Sequence, residues 1–153
     1  MAARIKPPRQ DKARQTLNWV SFILTFLGAA DAVYLLVLKY TQSEAMCIGN
    51  HGCITVNNSS YSLIYGIPVS LWGLIGYLCI GAALFLEPHW KLMHEQGPLF
   101  IFGASLIGVI FSAYLTWIEL YVIHAICPFC MASAILITLI FILAVIRLVK
   151  QTT

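Results

Sequence analysis

The chain has 153 residues, of which 60% are apolar and only 10% are charged. A soluble domain has about 25% charged residues, and a chain this small hides little of its surface from water. Its composition therefore excludes a soluble globular domain, and the many apolar residues also exclude a disordered chain or a secreted disulfide scaffold. The net charge of +3 does not indicate nucleic-acid binding, because the charges lie mostly at the two ends. We expect the excess apolar surface to face lipid.

Four stretches are long enough to cross a bilayer, which takes about 20 mainly apolar residues. They cover residues 17–38, 67–86, 99–118 and about 126–146, and turn-forming or charged residues separate them. The sequence predicts an all-α fold, a polytopic four-transmembrane-helix bundle over residues 17–147. A basic tail of residues 1–16 precedes this membrane domain, and a short tail of residues 148–153 follows it.

The basic residues predict the orientation, because Lys and Arg near span ends stay in the cytoplasm. Eight of the nine lie before the first span, between the second and third spans, or after the fourth, whereas Lys39 lies on the opposite side. Both termini are therefore expected in the cytoplasm. Four of the five cysteines, in the segment at about residues 41–66 and at the start of the fourth span, are expected at the outer face. The inner connection with Glu87 and His94 is expected to be a solvated loop.

A weak internal repeat relates the two halves of the chain by a shift of 80 residues. Gly28, Tyr34 and Cys47 recur as Gly108, Tyr114 and Cys127. Both copies run from the inside to the outside, so this would be a parallel repeat. Common ancestry and chance explain the match equally well, because apolar spans share residues easily. In either case the first and third spans each lead to a cysteine at the outer surface.

The strongest chemical signal is Cys127-Pro128-Phe129-Cys130 at the start of the fourth span. Two cysteines at i and i+3 of a helix share a face, within the Cα separation of about 4.4 to 6.8 Å that a disulfide needs. Pro128 suits a first helical turn, and a helix N-terminus favours a thiolate. The spacing predicts a dithiol that opens and closes reversibly, with Cys130 about one turn deeper in the membrane.

The outer segment at residues 41–66 is too polar to cross the membrane, yet it is rich in Tyr, Ile and Val. We expect it to lie across the bundle as a loop or as a short interfacial helix over residues 54–65. Its two cysteines, Cys47 and Cys53, would carry electrons to the helix cysteines by thiol-disulfide exchange. No side chain can store those electrons, so the route needs a lipid-soluble acceptor, for which a quinone is the natural candidate.

Two other interpretations of the cysteines stay open. Buried cysteines are often small hydrophobic residues, which suits Cys79 in the middle of the second span. The other four could form a zinc site, although structural zinc usually takes two short knuckles and only one pair here is short.

Taken together, these motifs resemble the vitamin K epoxide reductase family in its bacterial form. The resemblance covers nearly the whole chain, and the order and spacing of the motifs make it specific. The motifs are the pair Cys47 and Cys53, residues 53–61, Gly66-Ile67-Pro68, residues 112–116 and residues 127–130. The resemblance implies a four-helix bundle in the inner (plasma) membrane that oxidises thiols and reduces a quinone of the menaquinone, ubiquinone or vitamin K type. In bacterial members this drives disulfide formation in exported proteins.

The resemblance also implies roles for single residues. Cys130 is similar to the quinone-facing cysteine, Cys127 to its partner that exchanges with the loop, Cys53 to the inner shuttle cysteine and Cys47 to the outer one. Ser59 is similar to a serine that offers the quinone a hydrogen bond, although by its sequence context alone it is an ordinary turn serine. No metal is implied. Many bacterial relatives carry a fused thioredoxin-like domain, and because this sequence stops at Thr153 we expect a separate extracytoplasmic thioredoxin-like protein as electron donor.

Three ionisable residues have no assigned role. Asp31 lies in the middle of the first span, where a charge is costly, and it suits a proton relay and a helix-helix hydrogen bond equally. Glu119 and His124 flank the outer end of the third span, near Cys127. Either could assist proton uptake or be an ordinary interfacial residue.

Two rival functions are weighed against the leading one. A DsbB-type disulfide oxidase is also a four-helix bundle with a quinone, but it places its CxxC in the first outer loop, the reverse of the order here. A non-enzymatic four-helix membrane protein would use the cysteines for structural disulfides or zinc. Reversible reaction of the cysteines with a quinone separates an enzyme from a scaffold.

Overall fold

A computed structural model describes residues 8–41 and 52–152 of the chain. Within those ranges four helices are long and apolar enough to cross a membrane, which confirms the predicted helical membrane bundle. The elements in chain order are α1 (Pro8–Thr41), α2 (Gly52–Asn58), a 3-10 turn (Ser60–Ser62), β1 (Leu63–Ile64), β2 (Ile67–Pro68), α3 (Val69–Leu86), α4 (Lys91–Ile118), a π-helical turn (Glu119–Ile123) and α5 (Pro128–Thr152).

The membrane helices pack as a bundle in which α1 contacts α3 and α5, and α4 contacts α3 and α5. Their shared core includes Tyr77, Ile80, Ile101 and Ile140, all buried. The outer surface carries large apolar side chains instead, such as Phe26 and Ile107, which are 69% and 70% exposed. Such a surface is unfavourable in water and suits contact with lipid.

The two glycines of the weak sequence repeat have the same packing role. A Cβ on Gly28 would lie 2.3 Å from the ring of Tyr77, and a Cβ on Gly108 would lie 2.8 Å from the side chain of Ile137. Real Cβ atoms do not approach other atoms so closely. Each glycine therefore allows a bulky side chain of a neighbouring helix to sit against the helix backbone, once between α1 and α3 and once between α4 and α5.

The inner connection differs from the solvated loop that we expected, because Glu87 is buried. It accepts a hydrogen bond at 2.9 Å from Arg14 of α1 and is also paired with Arg147 of α5. The Arg14 guanidinium also lies 2.9 Å from Nδ1 of His94, near the start of α4. An ionic cluster thus joins all four membrane helices at the end of the bundle opposite Cys127.

The predicted interfacial helix over residues 54–65 is wrong in its extent. The helix begins earlier and ends at Asn58, where the backbone N–H and the hydroxyl of Ser59 both donate to the carbonyl oxygen of Val56. A two-stranded hairpin follows, with Tyr65 and Gly66 at its turn. Both turn residues have positive φ, 53° and 77°, which a helix cannot contain and which two-residue hairpins require.

Candidate functional site

Three cysteines meet at the outer end of the bundle. Cys127 directly precedes α5, Pro128 is the first residue of that helix, and Cys130 lies in its first turn, as the CxxC motif predicts. Cys53 reaches the same place from α2. The thiol of Cys127 is hydrogen-bonded to both Cys130 and Cys53, and Cys127 and Cys53 are fully buried. The fold therefore joins the motif cysteines to the inner cysteine of the outer segment.

The surroundings of Cys127 favour its thiolate. A hydrogen bond from the Cys130 thiol lowers the pKa of Cys127 to about 7, with a further contribution from Cys53, although burial opposes the shift. A thiol in water has a pKa of about 8.5. Cys127 is thus poised to exchange between thiol and thiolate near neutral pH, which is the property that thiol-disulfide exchange requires.

A glycine allows α2 to approach the motif. A Cβ on Gly52 would lie 2.2 Å from the carbonyl oxygen of Ile126, the residue before Cys127. Any side chain at position 52 would push α2 and Cys53 away from the CxxC motif. Sequence reasoning missed Gly52, because its importance depends on a contact between segments that are 74 positions apart in the sequence.

Lys39, near the end of α1, contacts both α2 and the 3-10 turn. Its ammonium group donates hydrogen bonds to the carbonyl oxygen of Asn57 and to the hydroxyl of Ser62. The Asn57 amide in turn donates to the carbonyl oxygen of Leu35 at 3.1 Å. These bonds tie α2 and the 3-10 turn to the end of α1. In the sequence, Lys39 bears only on the membrane orientation, and no local pattern predicts these contacts.

Glu119 belongs to the site, whereas His124 does not enter it. The Glu119 side chain is 3% exposed and is hydrogen-bonded to the thiol of Cys130. Its Oε2 atom lies 3.5 Å from the backbone nitrogen of Cys127, which donates to it. The π-helical turn begins at Glu119 and ends at Ile123. His124 follows it with a φ of 54°, which reverses the chain toward α5, and its side chain is exposed. Asp31 is half-buried in α1, and its Oδ2 atom has no hydrogen-bond partner.

An apolar cavity of about 370 Å³ opens beside Cys130, between the four membrane helices. Apolar side chains form most of its wall, and the polar exceptions include Ser59, Tyr77, Glu119, Cys130 and Ser133. The Tyr77 hydroxyl donates to the carbonyl oxygen of Ser133 at 3.1 Å, and the Ser59 hydroxyl donates to Val56 at 2.7 Å. A cavity of this size and character can hold a flat apolar ring with a few polar atoms.

The remaining cysteines lie apart from this cluster or outside the described residues. Cys79 is exposed on α3, in the middle of that helix. Cys47, the predicted outer shuttle cysteine, lies outside the described residues.

Comparison with known proteins agrees with the resemblance seen in the motifs. The chain matches the vitamin K epoxide reductase family over residues 19–145. The chain belongs to the vitamin K epoxide reductase family. A curated relative, the thiol-disulfide oxidoreductase LTO1 of Arabidopsis thaliana, is 30% identical over 124 residues, which cover 75% of this chain and 32% of the relative. The chain thus spans about a third of the length of this relative.

The residues that match the vitamin K epoxide reductase family include the whole cysteine and glutamate cluster. Cys53, Glu119, Cys127 and Cys130 all fall between residues 19 and 145, and this range also includes most of each of the four membrane helices. The site and its supporting helices are therefore one unit within the family fold.

Proposed function

We propose that this chain is a membrane thiol-quinone oxidoreductase. It oxidises an extracytoplasmic thioredoxin-like protein, reduces a membrane quinone and so supports disulfide bond formation. One observation carries the proposal: the two cysteines of the CxxC motif have different neighbours. Cys127 contacts Cys53 of the outer segment, whereas Cys130 borders the apolar cavity. A dithiol between a shuttle thiol and a lipid-like pocket has the arrangement that electron transfer from protein to quinone requires.

The cysteines pass electrons inward in two exchanges. The Cys53 thiolate attacks the Cys127 sulfur of an oxidised Cys127–Cys130 pair, forms a Cys53–Cys127 disulfide and displaces Cys130 as a thiolate. Cys47 then attacks the Cys53 sulfur and displaces Cys127. The loop pair is now a disulfide that can oxidise the thioredoxin-like donor, and the helix pair is a dithiol that carries two electrons.

The cavity fits a quinone of the menaquinone, ubiquinone or vitamin K type. When bound, a quinone takes up two electrons and two protons and becomes a quinol. Apolar walls suit its ring, and Cys130 and Ser59 would hold it at the outer end of the cavity. The Ser59 hydroxyl would have to turn from the carbonyl oxygen of Val56 to donate to a ligand, which costs about one ordinary hydrogen bond.

The charge distribution supports a membrane orientation with the cysteines outside. Arg14 and Arg147 lie in the ionic cluster at the end opposite Cys127, and basic residues favour the cytoplasmic side. We therefore place both termini in the cytoplasm and the thiol site at the extracytoplasmic face of the inner (plasma) membrane.

Quinone reduction by the purified protein tests the function. Reduced thioredoxin-like substrate and a short-chain menaquinone or ubiquinone are added, and the ultraviolet absorbance change from quinone to quinol is followed. We expect quinol and substrate disulfide in equal amounts, with Cys79→Ala close to wild type. Cys130→Ser should lose at least a hundredfold in rate, because it removes the cysteine beside the cavity. No quinol from the wild-type chain, or equal rates with Cys130→Ser, would contradict the proposal and favour a structural role for the cysteines.

A further inference from the structure

A buried carboxylate lies next to the reacting sulfurs, and the exchange steps above do not use it. Glu119 is 3% exposed, which is costly for a charge unless other groups stabilise it. Its described partners are the Cys130 thiol and the backbone N–H of Cys127. It also borders the cavity that Cys130 borders. One side chain thus contacts both the dithiol and the space where an electron acceptor would lie.

We propose that Glu119 accepts the proton of the Cys130 thiol when the Cys127–Cys130 dithiol is oxidised. Oxidation forms the S–S bond and releases two electrons and two protons. The electrons go to the oxidant, which is a quinone if the proposed function holds, and that function is the basis of this inference. One proton leaves Cys127, and the other moves from the Cys130 sulfur to a carboxylate oxygen of Glu119. Glu119 then holds this proton at the cavity wall, where quinol formation needs one.

The hydrogen bonds explain why oxidation changes the proton affinity of Glu119. The Cys130 thiol has one proton, which it donates to the Cys127 thiolate above about pH 7 and to the Glu119 carboxylate while Cys127 is protonated. In the fully protonated dithiol this bond stabilises the carboxylate charge. A disulfide has no proton to donate, so the buried carboxylate loses this partner and takes up a proton instead. Proton binding at Glu119 is therefore coupled to the redox state of the pair.

Other titratable groups near the site are less well placed for this proton. Cys53 is hydrogen-bonded to the Cys127 thiol. The Tyr77 hydroxyl, across the cavity on α3, already donates to Ser133. His124, at the end of the π-helical turn, has an exposed side chain. Among the described residues Glu119 is the carboxylate that reaches Cys130.

A glutathione equilibrium measures this coupling without any quinone. The full chain carries Cys47→Ser, Cys53→Ser and Cys79→Ala, so that the helix pair alone reacts, and it is equilibrated with reduced and oxidised glutathione from pH 5 to 8. Alkylation and mass spectrometry give the oxidised fraction at each pH. Below about pH 8 the glutathione thiols are mostly protonated, so the equilibrium constant changes with pH only through protons that the protein itself binds or releases. One retained proton shifts it by about tenfold per pH unit.

When Glu119 is present, we expect the oxidised fraction of the Cys127–Cys130 pair to increase as the pH falls below 7. In the Glu119→Gln variant the equilibrium constant should not vary with pH below pH 7. It should still vary above pH 7, where Cys127 of the dithiol becomes a thiolate. Glu119→Asp should recover part of the slope. His124→Gln tests the exposed imidazole, and Glu95→Gln, an exposed residue at the other end of the bundle, is the matched control. Both should keep the full slope.

Two results would overturn the inference. The first is that the equilibrium constant changes equally with pH below pH 7 in the protein with Glu119 and in the Glu119→Gln variant. The second is a flat constant below pH 7 in the protein that retains Glu119, which decides the matter even if Glu119→Gln does not fold. Failure of wild-type protein to make quinol would instead remove the proposed function and leave the glutathione result standing.

Discussion

Cys127 and Cys130 are three residues apart, yet they have different chemical surroundings. Cys127 is fully buried, receives hydrogen bonds from two other thiols and donates its backbone N–H to Glu119. Cys130 is partly exposed toward the cavity and contacts the Glu119 carboxylate. The first environment stabilises a thiolate at the site of exchange, and the second brings a thiol and a proton acceptor to the cavity. These surroundings support a division of roles between the two cysteines.

The pKa of Cys127, about 7, gives a testable pH dependence. In the reduced protein the thiolate fraction of Cys127 should rise about tenfold from pH 6 to 8 and then level off, because the thiolate is the reactive form. Its iodoacetamide reaction rate, measured by mass spectrometry of the Cys127 peptide, should follow this curve. Cys130→Ala removes the main hydrogen-bond donor and should move the midpoint to higher pH, whereas Cys130→Ser retains a donor and should move it less. Identical midpoints in the Ala variant and wild type would contradict this account.

Residue spacing predicts the cysteines of the site, but it does not predict the residues that reach them from distant segments. The CxxC motif and Pro128 predicted the start of α5, because the signal is local. Glu119 was one of two acidic or basic candidates near Cys127, and only the fold shows that it points inward while His124 is exposed. Gly52 and Lys39 gave no usable signal, since each acts through a contact with a distant segment.

Lys39 holds α2 and the 3-10 turn against the end of α1. Its two hydrogen bonds come from a charged donor, and such bonds contribute about 1.5 to 3 kcal/mol each. Lys39→Met keeps most of the side-chain volume and should slow the exchange between Cys53 and Cys127 by about tenfold or more. The rate of formation of the Cys53–Cys127 disulfide in a Cys47→Ser chain measures this. Lys91→Met, an exposed site at the other end, is the control, and equal rates in the two variants would contradict the role of Lys39.

The membrane helices were easier to predict than the conformation of the segments that connect them. Four apolar stretches of sufficient length determine four membrane helices, because the backbone must satisfy its hydrogen bonds within the membrane. The helix predicted for residues 54–65 failed at its C-terminal half. Tyr65 has positive φ, a conformation that non-glycine residues rarely adopt, so the hairpin turn had no clear sequence signal.

For the whole molecule, the ionic cluster around Glu87 joins the helices at the end opposite the thiols. Glu87→Gln would leave Arg147 buried without its counter-charge, and loss of one partner of a buried pair costs about 3 kcal/mol or more. We expect a clearly lower midpoint of thermal unfolding in detergent, with the pKa of Cys127 unchanged. Glu95→Gln removes an exposed carboxylate near the same end and should leave the midpoint near wild type. Equal midpoints for the two variants would show that the cluster does not stabilise the bundle.

We propose that electrons enter the helix pair through a disulfide between Cys53 and Cys127. Replacing Cys47 removes the thiol that resolves this intermediate, so a Cys47→Ser chain should accumulate it.

The direct measurement uses that Cys47→Ser chain with a protease site engineered between α3 and α4. After cleavage the two halves should stay joined on a non-reducing gel and separate on reduction, and adding Cys53→Ser should abolish the link. Mass spectrometry should identify a peptide that joins Cys53 to Cys127. A link from Cys53 to Cys130 instead would contradict the account and exchange the roles of the two helix cysteines.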